Sequence, residues 1–124
     1  MLGSTRSLRV YAFAGPTDMR KGFDGLAGVV RQELDRDPTS GDMFLFVSRD
    51  RVRAKVLVWD GTGLCLYAKR LERGRFARLW ESDEGDLVLT QSELQLYLEG
   101  CHEVGRRPLS PPEVDPQDPL IPVS

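Results

Sequence analysis

The chain has 124 residues, 40% of them hydrophobic and 29% charged, which is enough for one small domain with a core and too short for two. Its 17 lysines and arginines nearly balance 19 aspartates and glutamates, so it is not a generally cationic protein. No apolar run approaches the roughly 18–20 residues of a membrane span, and Met1 to Arg9 holds no apolar signal core, so a cytoplasmic protein with no membrane role is expected.

The near-neutral total hides a division along the chain. Residues 49–78 carry nine basic side chains against Asp50, Asp60 and Glu72, while residues 81–118 carry ten acidic ones against Arg106 and Arg107. The first 48 residues balance, six against six. A basic middle followed by an acidic end implies a local binding patch.

Leu8 to Ala14 is short, partly alternating and bounded by Gly15-Pro16, which predicts a strand. Thr17 then reads as a helix N-cap, and Met19, Phe23, Leu26, Val30 and Leu34 recur at helical spacing, predicting the core face of a helix. This places Arg20 and Lys21 in the first turn, where the helix dipole disfavours each cation by about 0.3–1 kcal/mol. Two readings of the pair stand side by side. In one, Arg20 pairs with Asp24 and Lys21 is solvated; in the other, both cations and the free amides of the helix start face a phosphate. Gly22 and Gly25 fit close helix packing and close ligand approach equally well.

Asp35 to Asp42 ends the helix in a loop, and Met43 to Val47 reads as a strand buried on both faces. A turn at Ser48 to Arg51 returns the chain as a second strand, Arg53 to Trp59. Asp60-Gly61-Thr62-Gly63 makes a tight hairpin into a third, Leu64 to Arg70, and the three form an antiparallel meander. If the hairpin loop holds two or four residues, Arg53, Lys55, Leu57 and Trp59 share a face with Leu64, Leu66, Ala68 and Arg70. That clusters Arg53, Lys55 and Arg70 at the end from which Arg73 and Arg75 emerge; a three-residue loop would break the cluster. Leu71 to Trp80 is irregular or a short helical turn, Glu81 to Asp86 an acidic loop, and Leu87 to Leu89 a short extended piece. Thr90 and Glu93 form a capping box, with Leu89 and Leu94 at the staple positions. Leu94, Tyr97, Leu98 and Cys101 give that helix its core face, and Gly100 or Gly105 ends it. From Arg106 onward six prolines fall in 19 residues, the composition of a disordered tail.

The expected fold is therefore α+β: a small antiparallel sheet, made of the meander and the N-terminal strand, packed against one long and one C-terminal helix. Residues 1–105 form the domain and 106–124 a Pro-rich disordered tail.

His102 is the single histidine; beside Cys101 it has no recognised ligand spacing, and Cys65 and Cys101 read as buried thiols. There is no nucleophile elbow and no P-loop. Asp18, Asp24 and Asp60 are the carboxylates outside the acidic loops, and structure accounts for each. Asp18 complements the helix dipole, Asp24 pairs with Arg20, and Asp60 makes the turn. No metal, cofactor or catalytic residue is expected. What remains is recognition of an anion by Arg20, Lys21, Arg53, Lys55, Lys69, Arg70, Arg73 and Arg75, with Trp59, Tyr67, Phe76 and Trp80 as stacking surfaces. Composition leaves a nucleic-acid binder, a protein-binding module and an enzyme all open.

Two stretches narrow this. Gly-Pro-Thr-Asp-Met-Arg-Lys-Gly-Phe-Asp-Gly-Leu at 15–26 is the first, and the second is Lys-Val-Leu-Val-Trp-Asp-Gly-Thr-Gly-Leu at 55–64, continuing to Lys-Arg-Leu-Glu-Arg-Gly-Arg-Phe at 69–76. Over about residues 8–104 the chain resembles the small accessory protein of bacterial insertion sequences of the IS-sixty-six type, often called TnpB or the second open reading frame. It does not resemble the RNA-guided nuclease of the same name, whose size and zinc-binding cysteines it lacks. After Phe76 the family's Trp-Pro is replaced by Ala77-Arg78-Leu79-Trp80. The resemblance implies a non-catalytic protein needed for efficient DNA transposition, encoded beside a separate transposase that carries the catalytic carboxylates. DNA and the transposase are the expected partners, with a protein adaptor that makes no nucleic-acid contact as the alternative.

Overall fold

In the computed structural model, which describes residues 8–79 and 87–100, each stretch rich in β-branched and aromatic residues forms a strand. The elements run β1 (Val10–Pro16), α1 (Phe23–Gln32), β2 (Met43–Val47), β3 (Arg53–Trp59), β4 (Leu64–Arg70), β5 (Leu87–Leu89) and α2 (Gln91–Leu98). One five-stranded sheet results, in the order β4-β3-β2-β1-β5. The fold is α+β as expected, and β2, β3 and β4 form the antiparallel meander. The sheet as a whole is mixed. Strand β1 lies parallel to β2, with Val10 opposite Met43 and Ala12 opposite Leu45. A parallel pair needs a crossover connection, and α1 supplies it.

Alternation along the strands divides the core in two. Tyr11, Phe44, Phe46 and Leu57 face α1, where they pack with Leu26, Ala27 and Val30. Val10, Ala12, Leu45, Val47, Ala54 and Val56 face the other way, onto Leu94 and Tyr97 of α2 and onto Phe76, Ala77 and Leu79. With helices on both faces, β2 is apolar throughout, and Phe44 to Val47 are all buried.

The first helix starts later than its sequence period implies. Thr17 is not its N-cap: the Thr17 amide donates to Val47 O at 2.9 Å and so extends the β1–β2 pairing. The helix begins at Phe23 after an N-cap at Gly22 that makes no side-chain capping bond. Arg20 and Lys21 therefore sit in the preceding turn, outside the first helical turn. Phe23, expected in the core, is 49% exposed, because the helix face that packs on the sheet is carried by Leu26 and Val30. Met19 and Leu34 pack against the same cluster from outside the helix.

The second helix follows its signals. Thr90 Oγ1 accepts from Glu93 N–H at 3.1 Å, and Glu93 Oε1 accepts from Thr90 N–H at 2.9 Å. Leu89 and Leu94 are buried in one cluster, and Gly100 ends the helix at a φ of +98° that favours glycine. Tyr97 stacks on Phe76 with ring centroids 5.4 Å apart, and its hydroxyl donates to Ala77 O. Burial pushes its phenol far above the ordinary value. The acidic loop at 81–86, Trp80, Cys101, His102 and the expected boundary at 105/106 lie outside the described residues. No helix among the described residues is long and apolar enough to cross a membrane.

Candidate nucleic-acid interface

The loop between β3 and β4 has four residues, and this fixes the register on which the basic cluster depends. Asp60 Oδ1 accepts from the amides of Thr62 and Gly63 at 2.9 and 3.0 Å, and Gly61 takes a φ of +104°. These bonds, with the Thr62 and Cys65 side chains, hold the Asp60 carboxyl down at about 2. Arg53 consequently lies opposite Arg70 and Lys55 opposite Ala68, all on the α1 face, as the even-loop parity requires.

The phase of the hydrogen bonds brings the two arginines closer still. Leu71 N–H donates to Val52 O at 2.8 Å, so Val52/Leu71 and Ala54/Lys69 are hydrogen-bonded pairs and Arg53/Arg70 is a non-bonded pair, the kind whose side chains approach most closely. Two arginine side chains thus leave the sheet from directly opposed positions. Among the described residues Arg70 has one weak counter-ion, Glu72 at 3.5 Å, and both partners are largely exposed.

Other cations gather at this end of the sheet. Leu71 N–H and Phe76 N–H donate to Val52 O and Arg51 O, and Arg51 Nη1 donates to Phe76 O at 3.3 Å. The loop carrying exposed Arg73 and Arg75 is therefore pinned at both ends to the β2–β3 turn, with Gly74 at a φ of +70°. From β1 comes the turn holding Arg20 and Lys21. Arg20 does not pair with Asp24; it makes a two-pronged ion pair with Asp18, through Nε to Oδ1 at 3.1 Å and Nη2 to Oδ2 at 2.8 Å. The Arg20 side chain and then its amide hold the Asp18 carboxyl down at about 2. The guanidinium remains 91% exposed. A shallow groove of about 270 Å³ runs between these parts, with Met19, Arg53, Lys55, Ala68 and Arg70 among its walls.

Two of the eight candidate cations do a different job. Lys55 Nζ donates to Met19 O and Lys21 O, both at 2.8 Å, clasping the Arg20–Lys21 turn to the sheet. Lys69 lies on the opposite face and donates to Leu98 O at 2.7 Å, where an ammonium satisfies a helix C-terminal carbonyl. Arg20, Lys21, Arg53, Arg70, Arg73 and Arg75 remain exposed.

The described residues expected as stacking surfaces do not join them, although Phe23, two positions from Lys21, is exposed. Phe76 is fully buried, Trp59 lies at the hairpin end of β3 away from Arg53, and Tyr67 points to the α2 face. Cys65, expected as a buried thiol, is exposed; its strand is at the sheet edge, where alternation does not guarantee cover. The turn at Ser48 to Arg51 is where the sequence predicts it, but the side-chain roles of Arg51 and Ser48 escape a reading of the sequence. Ser48 Oγ accepts from Arg53 N–H at 3.1 Å and donates to Asp50 Oδ1 at 2.6 Å, so it shapes the turn beneath the cluster; its position beside Arg49-Asp50 is the only signal. Among the described residues no group of three or more His, Cys, Asp or Glu is placed to hold a metal.

This architecture matches no solved structure. In sequence, the chain is 42% identical over 101 residues to "Uncharacterized protein y4hO" of Sinorhizobium fredii, covering 81% of this chain and 86% of that one. It is 35% identical over 114 residues to "Uncharacterized protein y4jC" of the same organism, covering 90% and 97%. Residues 8–107 match the family described as IS66 Orf2 like protein, so that the β1–α1 turn, the hairpin and the arginine loop all fall within the match. The chain belongs to this family of insertion-sequence accessory proteins.

Proposed function

We propose that the protein is a non-catalytic accessory factor of transposition that binds DNA through the basic end of its sheet. The observation that carries this reading is the cross-strand pair Arg53 and Arg70. Like charges directly opposite each other destabilise a sheet, and an anion between them turns that cost into affinity. Arg20, Lys21, Arg73 and Arg75 extend the patch far enough to follow a phosphate backbone. Trp59, Tyr67 and Phe76 offer no stacking platform beside it and the exposed Phe23 is a single ring near Lys21, so binding is to duplex phosphates with little reading of bases. The transposase supplies the chemistry of strand transfer, and this chain holds or presents the DNA.

The test is fluorescence anisotropy of labelled duplexes, an element-end sequence and a scrambled one, at increasing salt. If all six exposed cations contact phosphate, log affinity falls against log salt with a slope of about −5, and Arg73→Ala with Arg75→Ala reduces that slope by about 2. Lys55→Met loosens the Arg20–Lys21 turn and removes no phosphate contact, so it lowers affinity with the slope nearly unchanged. Absence of binding at low salt, or a flat salt response, overturns the DNA reading and directs the arginines to acidic residues of the transposase.

A further inference from the structure

The two edges of the sheet are unlike. Strand β5 has three residues, too few to template another strand, whereas β4 has seven and pairs with β3 without a shift from Arg53/Arg70 to Trp59/Leu64. No described strand lies beyond β4. The bonds Asp60 N–H to Gly63 O and Leu71 N–H to Val52 O set the phase of the ladder. Cys65, Tyr67 and Lys69 turn their amides and carbonyls inward to β3, and Leu64, Leu66, Ala68 and Arg70 turn theirs outward. Devices that normally blunt an edge are missing from its middle, since Cys65 to Ala68 contains no charge, no proline and no bulge. Tyr67 there is 52% exposed.

The geometry points to β4 as a self-association edge, where two copies of this chain pair β4 to β4, antiparallel about a two-fold axis at Tyr67, in one continuous sheet. In that register Leu66 stands opposite Ala68 and Leu64 opposite Arg70, and all four outward residues of each copy meet outward partners. The charge along the hairpin favours a second copy in this direction. From Asp60 to Ala68 the one charged residue is Asp60, and Lys69 and Arg70 follow at the far end. Antiparallel pairing brings the cationic end of each strand towards the Asp60 turn of the other, while parallel pairing would stack Lys69 on Lys69. At the axis the two Tyr67 residues form a non-bonded pair, with Cα atoms about 4.5 Å apart. They close over the mouth of a groove of about 580 Å³ lined by Val58, Cys65, Leu94 and Leu98 among others. Both α1 faces then lie on one side of the sheet, and the hairpin turn of each copy lies beside Arg70 and the arginine loop of the other. The pairing does not depend on DNA binding.

Light scattering of the full chain over a range of concentrations, with no DNA present, reads the oligomeric state. The expected mass is twice the 14.0 kDa of the chain. Tyr67→Lys, which sets two cations at the axis, halves it with an unchanged circular dichroism spectrum; Ala68→Pro, which removes an outward amide, does the same. A third variant fixes the register and tolerates some loss of stability in the others. Tyr67→Cys in a Cys65→Ser, Cys101→Ser background oxidises to a disulfide-linked dimer, because the spacing suits a disulfide, whereas Cys101→Ser alone leaves Cys65 opposite Lys69 and does not cross-link. A monomer at every concentration overturns the proposal. So does a dimer whose mass survives Tyr67→Lys, or one that cross-links through Cys65 and not through Tyr67→Cys.

Discussion

Arg53 and Arg70 illustrate how residues proposed to bind a ligand can work against the fold that carries them. They stand directly opposite on β3 and β4 in the free protein, so the proposed repulsion predicts that Arg53→Gln raises stability by about 0.2–1 kcal/mol in low salt while weakening DNA binding. The gain should vanish near 1 M salt, where the Debye length falls to about 3 Å. Urea unfolding of both proteins at the two salt concentrations measures it, and a variant that is less stable in low salt would remove the argument for a strained pair. Lys55 and Lys69 are the contrasting case. In the sequence they are indistinguishable from their cationic neighbours, since nothing in residue type or spacing says that an ammonium will find two carbonyls 34 and 36 positions away or the end of a helix 29 positions away. Parity placed Arg53, Lys55 and Arg70 on one face because a strand's period is fixed; which cations are already engaged depends on tertiary contacts that no period encodes.

At the scale of elements, local signals were legible wherever the chain satisfies itself locally. Strands β2, β3 and β4 fall at their expected bounds, and the α2 capping box is closed by residues three apart in sequence. The start of α1 was not legible because Thr17 meets a partner from far along the chain, Val47 O, which outcompetes the capping role its type advertises. The parallel placement of β1 was hidden for the same reason, as a short strand followed by a helix fits either direction until its neighbour is known. Helix α1 also carries an unused margin. A Cβ added at Gly28 meets nothing within 4 Å, whereas one at Gly25 comes to 3.0 Å from Lys21 Cβ. Gly28→Ala should therefore stabilise the protein by about 0.5–1 kcal/mol, and Gly25→Ala should gain less because Lys21 must shift. Thermal unfolding of the two variants compares them directly, and an equal gain would show that Lys21 gives way freely.

The whole molecule joins a segment of purely local pairing to two strands that wait for distant partners. The β2–β3–β4 meander pairs neighbours in sequence, but β1 takes Met43 opposite Val10 on one side and Leu89 opposite the same residue on the other. Chain closure entropy makes such contacts late. During synthesis, then, the first strand made is among the last to be finished: it must wait for β2 to emerge before it can pair at all, and its outer edge stays bare until residues 87–89 follow. Pulse-labelled hydrogen exchange during refolding should find the amides of Val56 and Tyr67 protected before that of Tyr11, which the Met43 N–H to Arg9 O bond sets facing β2; the reverse order would mean that β1 and α1 nucleate the sheet. Until that last strand docks, the partly made protein presents an edge that the finished one hides.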